Sequence, residues 1–187
     1  MPAPERTTNE AVVEIGRAIV EEGGVDALTM QAVAQRAGVR APSLYKRVRD
    51  RNELLRRIVE ASVDDLGSRM RVAADGAGED PRDVLVRVAH ELRAFAHERP
   101  HGYRLIFGAL PPAARPELDT LSRASAPVLE AARRLAGDDD ALEAARTVTA
   151  WANGFLLMEL AEAFRLGGDV DRAYAWGVDR IVATITR

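Results

Sequence analysis

Residues 29–48, Thr-Met-Gln-Ala-Val-Ala-Gln-Arg-Ala-Gly-Val-Arg-Ala-Pro-Ser-Leu-Tyr-Lys-Arg-Val, constrain the fold of this chain more than any other stretch. Thr29 can cap a helix through its hydroxyl, and Met30, Val33, Ala34 and Ala37 recur at the spacing of a helix with one buried face. Gly38 stops that helix, because a glycine takes the left-handed conformation cheaply and lets the chain turn within a few residues. Val39 fills the corner, Ala41 and Pro42 suit a first helical turn, and Leu44 and Val48 lie four apart on an inner face. Arg40, Ser43, Tyr45, Lys46 and Arg47 are left facing outwards.

Charge sharpens this reading. From Arg36 to Arg57 eight basic residues stand against two acids, a local net of +6, in a chain whose net charge is −3. Positive charge concentrated on one short stretch of an acidic protein is an electrostatic footprint for a polyanion, and binding through it should weaken steeply with salt.

The rest of the chain reads as helix with no convincing strand, so the expected fold class is all-α with about nine helices. The first spans about Thr8 to Glu22, with Thr7 and Glu10 at capping-box spacing, Val12, Ile15 and Ile19 on one face, and Gly23-Gly24 as its stop. Asp50 and Glu53 open a long helix from Arg51 to about Ala74, with Leu54, Leu55, Ile58, Val59, Ser62, Leu66 and Met70 inward. A linker, 75–80, precedes a helix from Pro81 to about Glu98. Further helices are expected at about Tyr103–Ala109, Glu117–Ala136 with Pro127 as a kink, from the Asp138–Asp140 loop to Leu166, and Val170–Thr186. No stretch approaches the ~18 to 20 apolar residues needed to span a bilayer, and no membrane partner is expected. The N-terminus lacks a signal pattern and there are no cysteines, which makes the cytoplasm the default compartment.

The segment from Thr7 to about Ile58 resembles the N-terminal DNA-binding domain of the tetracycline-repressor (TetR) family of bacterial transcription regulators. The run that carries the resemblance is Gly24, Thr29, Val33-Ala34, Ala37-Gly38-Val39, Leu44-Tyr45, Val48, Arg51 and Leu54-Leu55, in order and at the family's spacing. The chain departs where the family has His-Phe, here Arg47-Val48, and where the family caps its recognition helix with Ser or Thr, here Arg40. The resemblance implies a helix-turn-helix domain over 1–57 and a helical regulatory and dimerisation domain over 58–187. It further implies contacts to double-stranded DNA from Thr29, Gln31, Arg40, Ala41, Pro42, Ser43, Tyr45, Lys46, Arg47 and Arg51. Of these, Thr29, Tyr45 and Arg51 are expected on the phosphate backbone, which positions without reading sequence, and Arg40, Ala41, Ser43 and Lys46 at base edges.

Trp151-Ala-Asn153-Gly154-Phe155, together with His97–Phe107, is similar to one class of TetR regulatory domains with a Trp-x-His-Gly segment, whose His is Asn153 here. The family implies a homodimer formed by the last two helices, to which this chain would bring Gly154, Leu157, Leu160, Ala161, Ile181, Val182 and Ile185. A twofold dimer would set its recognition helices roughly 34 Å apart and require a palindromic operator. The family also implies a small, largely apolar effector whose binding releases a repressor from DNA. Phe95, Tyr103, Phe107, Trp151, Phe155 and Met158 are either core, the ordinary fate of such residues at helical spacing, or the lining of that effector's cavity.

His90, His97 and His101 have helix-face spacings, but Pro100 interrupts the helix and no cysteine is available, so no metal is expected. No Gly-rich phosphate loop or Ser/His/Asp or Cys/His arrangement is present, so neither an enzyme nor a cofactor is expected. The remaining alternative is a helical protein-interaction adaptor whose helix-turn-helix does not read DNA.

Overall fold

The structure, a computed structural model, describes residues 8–186 and contains nine α-helices, one 3-10 turn and no strand among them. In chain order the helices are α1 (Asn9–Ala27), α2 (Met30–Arg36), α3 (Ala41–Leu44), α4 (Arg51–Asp75), α5 (Pro81–Glu98), α6 (Pro100–Phe107), α7 (Leu118–Ala136), α8 (Ala141–Leu160) and α9 (Val170–Thr184). They fall into two compact units. One comprises the described residues up to Val63 with Arg99–Thr120, and the other Asp64–Glu98 with the chain from Leu121 onwards.

In the first unit α1 packs on α2 and α6. Its core is built from Val12, Ile19 and Val20 of α1, Leu28 and Val33, the recognition-segment pair Leu44 and Val48, the α4 face Leu54, Leu55, Ile58 and Val59, and Tyr103 of α6. Thr7, expected in the capping box, lies outside the described residues. Thr8 is the cap, its Oγ1 accepting the Ala11 N–H at 3.1 Å. The first helix also runs past its expected stop to Ala27, kinked at Gly24, whose φ of +73° and ψ of −179° break the ladder before one more turn forms.

The attachment of α6 to α1 was not legible in the sequence. Glu21 accepts the N–H of His101 on one carboxylate oxygen and that of Gly102 on the other, each at 3.0 Å, and its backbone carbonyl meets His101 Nδ1 at 2.8 Å. A carboxylate at the first turn of α6 satisfies N–H groups that the helix cannot, and complements the helix dipole.

In the second unit α5 packs against α8 and α9, which pack against each other. The buried residues are Val84, Leu85, Val88, Leu92 and Phe95 of α5, alanines of α7 and α8, and Tyr174, Val178 and Val182 of α9. Pro127 lies inside α7. The eighth helix stops at Leu160, six residues before its expected end. Ala163 N–H reaches Met158 O and Glu162 N–H reaches Glu159 O, both at 2.9 Å, with Glu162 at φ +53°. That is a Schellman cap, and a glutamate instead of glycine at its left-handed position hid it.

A polar cluster ties α5 to α8 and α9. Arg93 donates from Nε to Glu159 at 3.0 Å, from Nη2 to the other Glu159 oxygen and to Asp171 at 2.5 Å, and lies 5.2 Å from the Tyr174 ring centroid. Tyr174 is fully buried and donates its hydroxyl to Ala89 O at 2.7 Å. Burial pushes the Tyr174 phenol up.

Candidate nucleic-acid interface

The candidate segment begins at Thr29, whose Oγ1 accepts the Ala32 N–H at 3.0 Å and so caps α2. The helix closes with the same motif as α8, here on glycine. Gly38, at φ +67°, donates to Gln35 O at 3.1 Å and Val39 to Ala34 O at 3.0 Å. Both expected ends of this helix are in place because each depends on residues within a few positions of it.

The recognition helix is shorter than its periodicity suggests. Regular helix covers only Ala41–Leu44, and Arg40 stands at its N-cap without a side-chain capping bond. The turn nonetheless continues, with Val48 N–H reaching Leu44 O at 3.1 Å, and both side chains are buried. This anchoring leaves Thr29, Gln31, Arg40, Pro42, Ser43, Tyr45 and Lys46 exposed and Ala41 and Arg47 half-buried. Tyr45, at 52% exposure, projects an aromatic ring and a hydroxyl into solvent.

Most of the basic run is occupied within the protein. Arg36 makes two 2.6 Å bonds to Glu22, Arg56 pairs with Glu60 at 2.9 Å, Arg57 with Glu53 at 2.5 Å, and Arg49 lies 3.5 Å from Asp50. Hydrogen bonds from its own N–H and from Thr8 hold the Glu10 carboxyl below its ordinary range, and the charge of Arg47 adds to them. Among the described residues no acid pairs with Arg40 or Lys46. The footprint of eight cations therefore narrows to the neighbourhood of α3.

Arg51, expected on a phosphate, is turned inwards. Its Nε donates to Leu28 O at 2.6 Å and its Nη2 to Val25 O at 2.7 Å. The start of α4 is fixed by Asp50, which accepts the Glu53 N–H at 2.8 Å, while Glu53 takes the Arg49 N–H at 2.7 Å. Those two backbone bonds lead the depression of the Asp50 and Glu53 carboxyls.

The six residues named as a possible effector lining are not brought together. Tyr103 and Phe107 pack against each other at a tilt in the first unit, 4.9 Å between centroids. Phe95 is fully buried under Arg69, and Met158 is 49% exposed. Only Trp151 and Phe155 share a site, lining with Trp176, Gly177 and Arg172 a hollow of about 500 Å³. A larger hollow of about 720 Å³, unforeseen in the sequence, lies along Ser68, Arg69, Val72, Arg87, His90 and Ala94.

The dimerisation set divides as well. Leu157 and Ala161 are exposed, Leu160 and Ile181 half-buried, and a Cβ on Gly154 would meet nothing within 4 Å. Val182 is 2% exposed and Ile185 packs on Ala132, Ala136, Ala144 and Ala145, so these two serve the core of their own chain. Tyr174, Val178 and Val182 are four apart, which places Val182 on the inward stripe of α9. The histidines have separate surroundings: His90 edges Tyr174, His97 lies 3.3 Å from Glu159, and His101 holds Glu21.

A capped helix, a glycine turn and an outward-facing basic segment frame the comparison with known proteins. Residues 13–58 match the family model "Bacterial regulatory proteins, tetR family", and residues 85–181 match "Tetracyclin repressor-like, C-terminal domain". The chain belongs to the TetR family. It is therefore a DNA-binding transcriptional regulator of helical fold and not an enzyme. It is 30% identical over 165 residues, 87% of this chain and 73% of the other, to the tetracycline repressor protein class A from transposon 1721 of Escherichia coli. It is 29% identical over 160 residues, 84% and 72% of the two chains, to an uncharacterized HTH-type transcriptional regulator of Mycobacterium tuberculosis. BioQ of Mycobacterium smegmatis shares the TetR fold, with a TM-score of 0.71 at 22% identity over 96% of this chain and 98% of its own. BioQ with its natural double-stranded DNA operator gives the same values. Among the described residues no helix is long and apolar enough to cross a membrane.

Proposed function

We propose that this TetR-family chain is a repressor that binds a palindromic operator as a homodimer and is released by a small, largely apolar molecule. Residues 1–57 read DNA and residues 58–187 carry regulation and dimerisation. The observation that carries the reading is the survival of Arg40 and Lys46 as outward cations on either side of Ser43, while carboxylates or carbonyls of the same chain engage Arg36, Arg51, Arg56 and Arg57. Arg40 and Lys46 are suited to guanine O6 and N7, Ala41 to a thymine methyl, and Ser43 to either edge. Thr29, Gln31, Pro42, Tyr45 and Arg47 lie alongside as backbone contacts.

Two further features support the dimer and the effector. Leu157, Met158 and Trp176 leave apolar surface exposed on α8 and α9, and a relative bears the name tetracycline repressor. Mobility shift on the intergenic DNA beside the chain's own gene checks the proposal. Specific retention that weakens steeply between 50 and 200 mM salt, by ~10³ or more for six or more phosphate contacts, is the expected result. Retention indistinguishable from that of unrelated DNA overturns it.

A further inference from the structure

The side chain that opens α4 shows how the reading segment is held. A helix leaves its last carbonyls without intrahelical partners, and at the end of α1 two of these, Val25 O and Leu28 O, converge on Arg51. The kink at Gly24 lies immediately before them. Val25 O receives only a long 3.3 Å bond from the Leu28 N–H, so the 2.7 Å bond from Arg51 is its stronger partner. Leu28 is fully buried, and the next residue, Thr29, caps α2.

We infer that Arg51 is a positioning residue for DNA reading. It ties the first turn of α4 to the corner at residues 25–28 and so fixes where the α2–turn–α3 segment starts. This rests on the reading of residues 29–47 as the DNA interface. The guanidinium suits the task because Nε–H and one Nη–H form a planar fork that meets two carbonyls at once, whereas a lysine ammonium is a point donor on a flexible stem. Bonds from a charged donor are also stronger than neutral ones. The charge of Arg51 is consequently not among those that neutralise phosphate, and its role is separable from that of a phosphate contact by the salt dependence of binding.

A duplex selected by the unaltered chain from a random library serves as the probe, with binding measured across a salt series well below the melting temperature of each variant. If the unaltered chain selects no sequence, the DNA-reading proposal itself fails, and that result is distinct from any outcome for Arg51. Given a selected duplex, R51A and R51K are both expected to bind about tenfold or more weakly, with a slope of log affinity against log salt equal to that of the unaltered chain. A phosphate role for Arg51 would instead reduce the slope in R51A by about 1.8 for a twofold dimer, with R51K restoring slope and affinity. That pattern, or near-normal binding by both variants, overturns the inference. If R51A does not fold, R51K alone decides, because it keeps the charge and removes the fork. In the unaltered chain the Arg51 Nε–H resonance should stay unshifted when the duplex is added, and a large shift contradicts the inference.

Discussion

Replacing Arg93 by alanine is expected to lower the stability of the protein by about 3 kcal/mol, because it strands a largely covered carboxylate between helices of the second unit. Glu159 is only 11% exposed, and without Arg93 its nearest remaining partner is His97 at 3.3 Å. Asp171, at 85% exposure, contributes little to this loss, so D171N should be nearly neutral. For a chain of this size the loss corresponds to a fall of roughly 6 to 12 °C in melting temperature. The acid side of the stability curve gives an independent readout. Burial pushes the Glu159 carboxyl up, but hydrogen bonds and charge from Arg93, helped by His97, outweigh it and hold the group below its ordinary value of 4.5. A carboxyl depressed in the folded state stabilises fully above its unfolded value and loses that contribution as pH falls through its folded value. Thermal melts at neutral pH and below about pH 4.5 should therefore show R93A losing less on acidification than the unaltered chain. A melting temperature within about 2 °C of the unaltered chain at pH 7 would contradict this account of the cluster.

The second large effect concerns DNA. The double variant R40A/K46A is expected to lose about a hundredfold or more in affinity for a selected duplex, since each contact to a base edge contributes ~1–3 kcal/mol. Its melting temperature should not change, because both side chains are exposed and no acid pairs with either among the described residues. R56A/R57A removes the same formal charge from residues bound to Glu60 and Glu53 and should leave DNA affinity within about threefold, as the loss of screened intramolecular pairs predicts. Fluorescence anisotropy at fixed salt separates the two. Equal losses in both double variants would show that net charge and not the α3 neighbourhood governs binding.

What could be read from the sequence and what could not follow one physical distinction. The Thr29 cap, the Gly38 turn, the Leu44/Val48 pair and the inward stripe of α4 depend on residues within a turn or two of one another, and periodicity records such relations. The end of α8 was local too, but its left-handed position carries Glu162, and residue type gave no signal. Contacts between distant segments left no trace. Glu21 reaches His101 and Gly102 across eighty and eighty-one positions, and Arg93 reaches Glu159 across sixty-six. The inward turn of Arg51 requires the carbonyls freed at the end of α1, so its residue type alone points equally to phosphate. The six residues of the aromatic set have only residue type and helical spacing in common, and tertiary packing distributes them over core, surface and one shallow hollow.

The central claim is that two copies of this chain present their residue 29–47 segments to one duplex. Hydroxyl-radical footprinting of a selected duplex tests it most directly. The account predicts two equivalent protected patches related by twofold symmetry, with centres about 10 base pairs apart on one face, both lost in R40A/K46A. A single unsymmetrical patch, or protection that persists without Arg40 and Lys46, would contradict it.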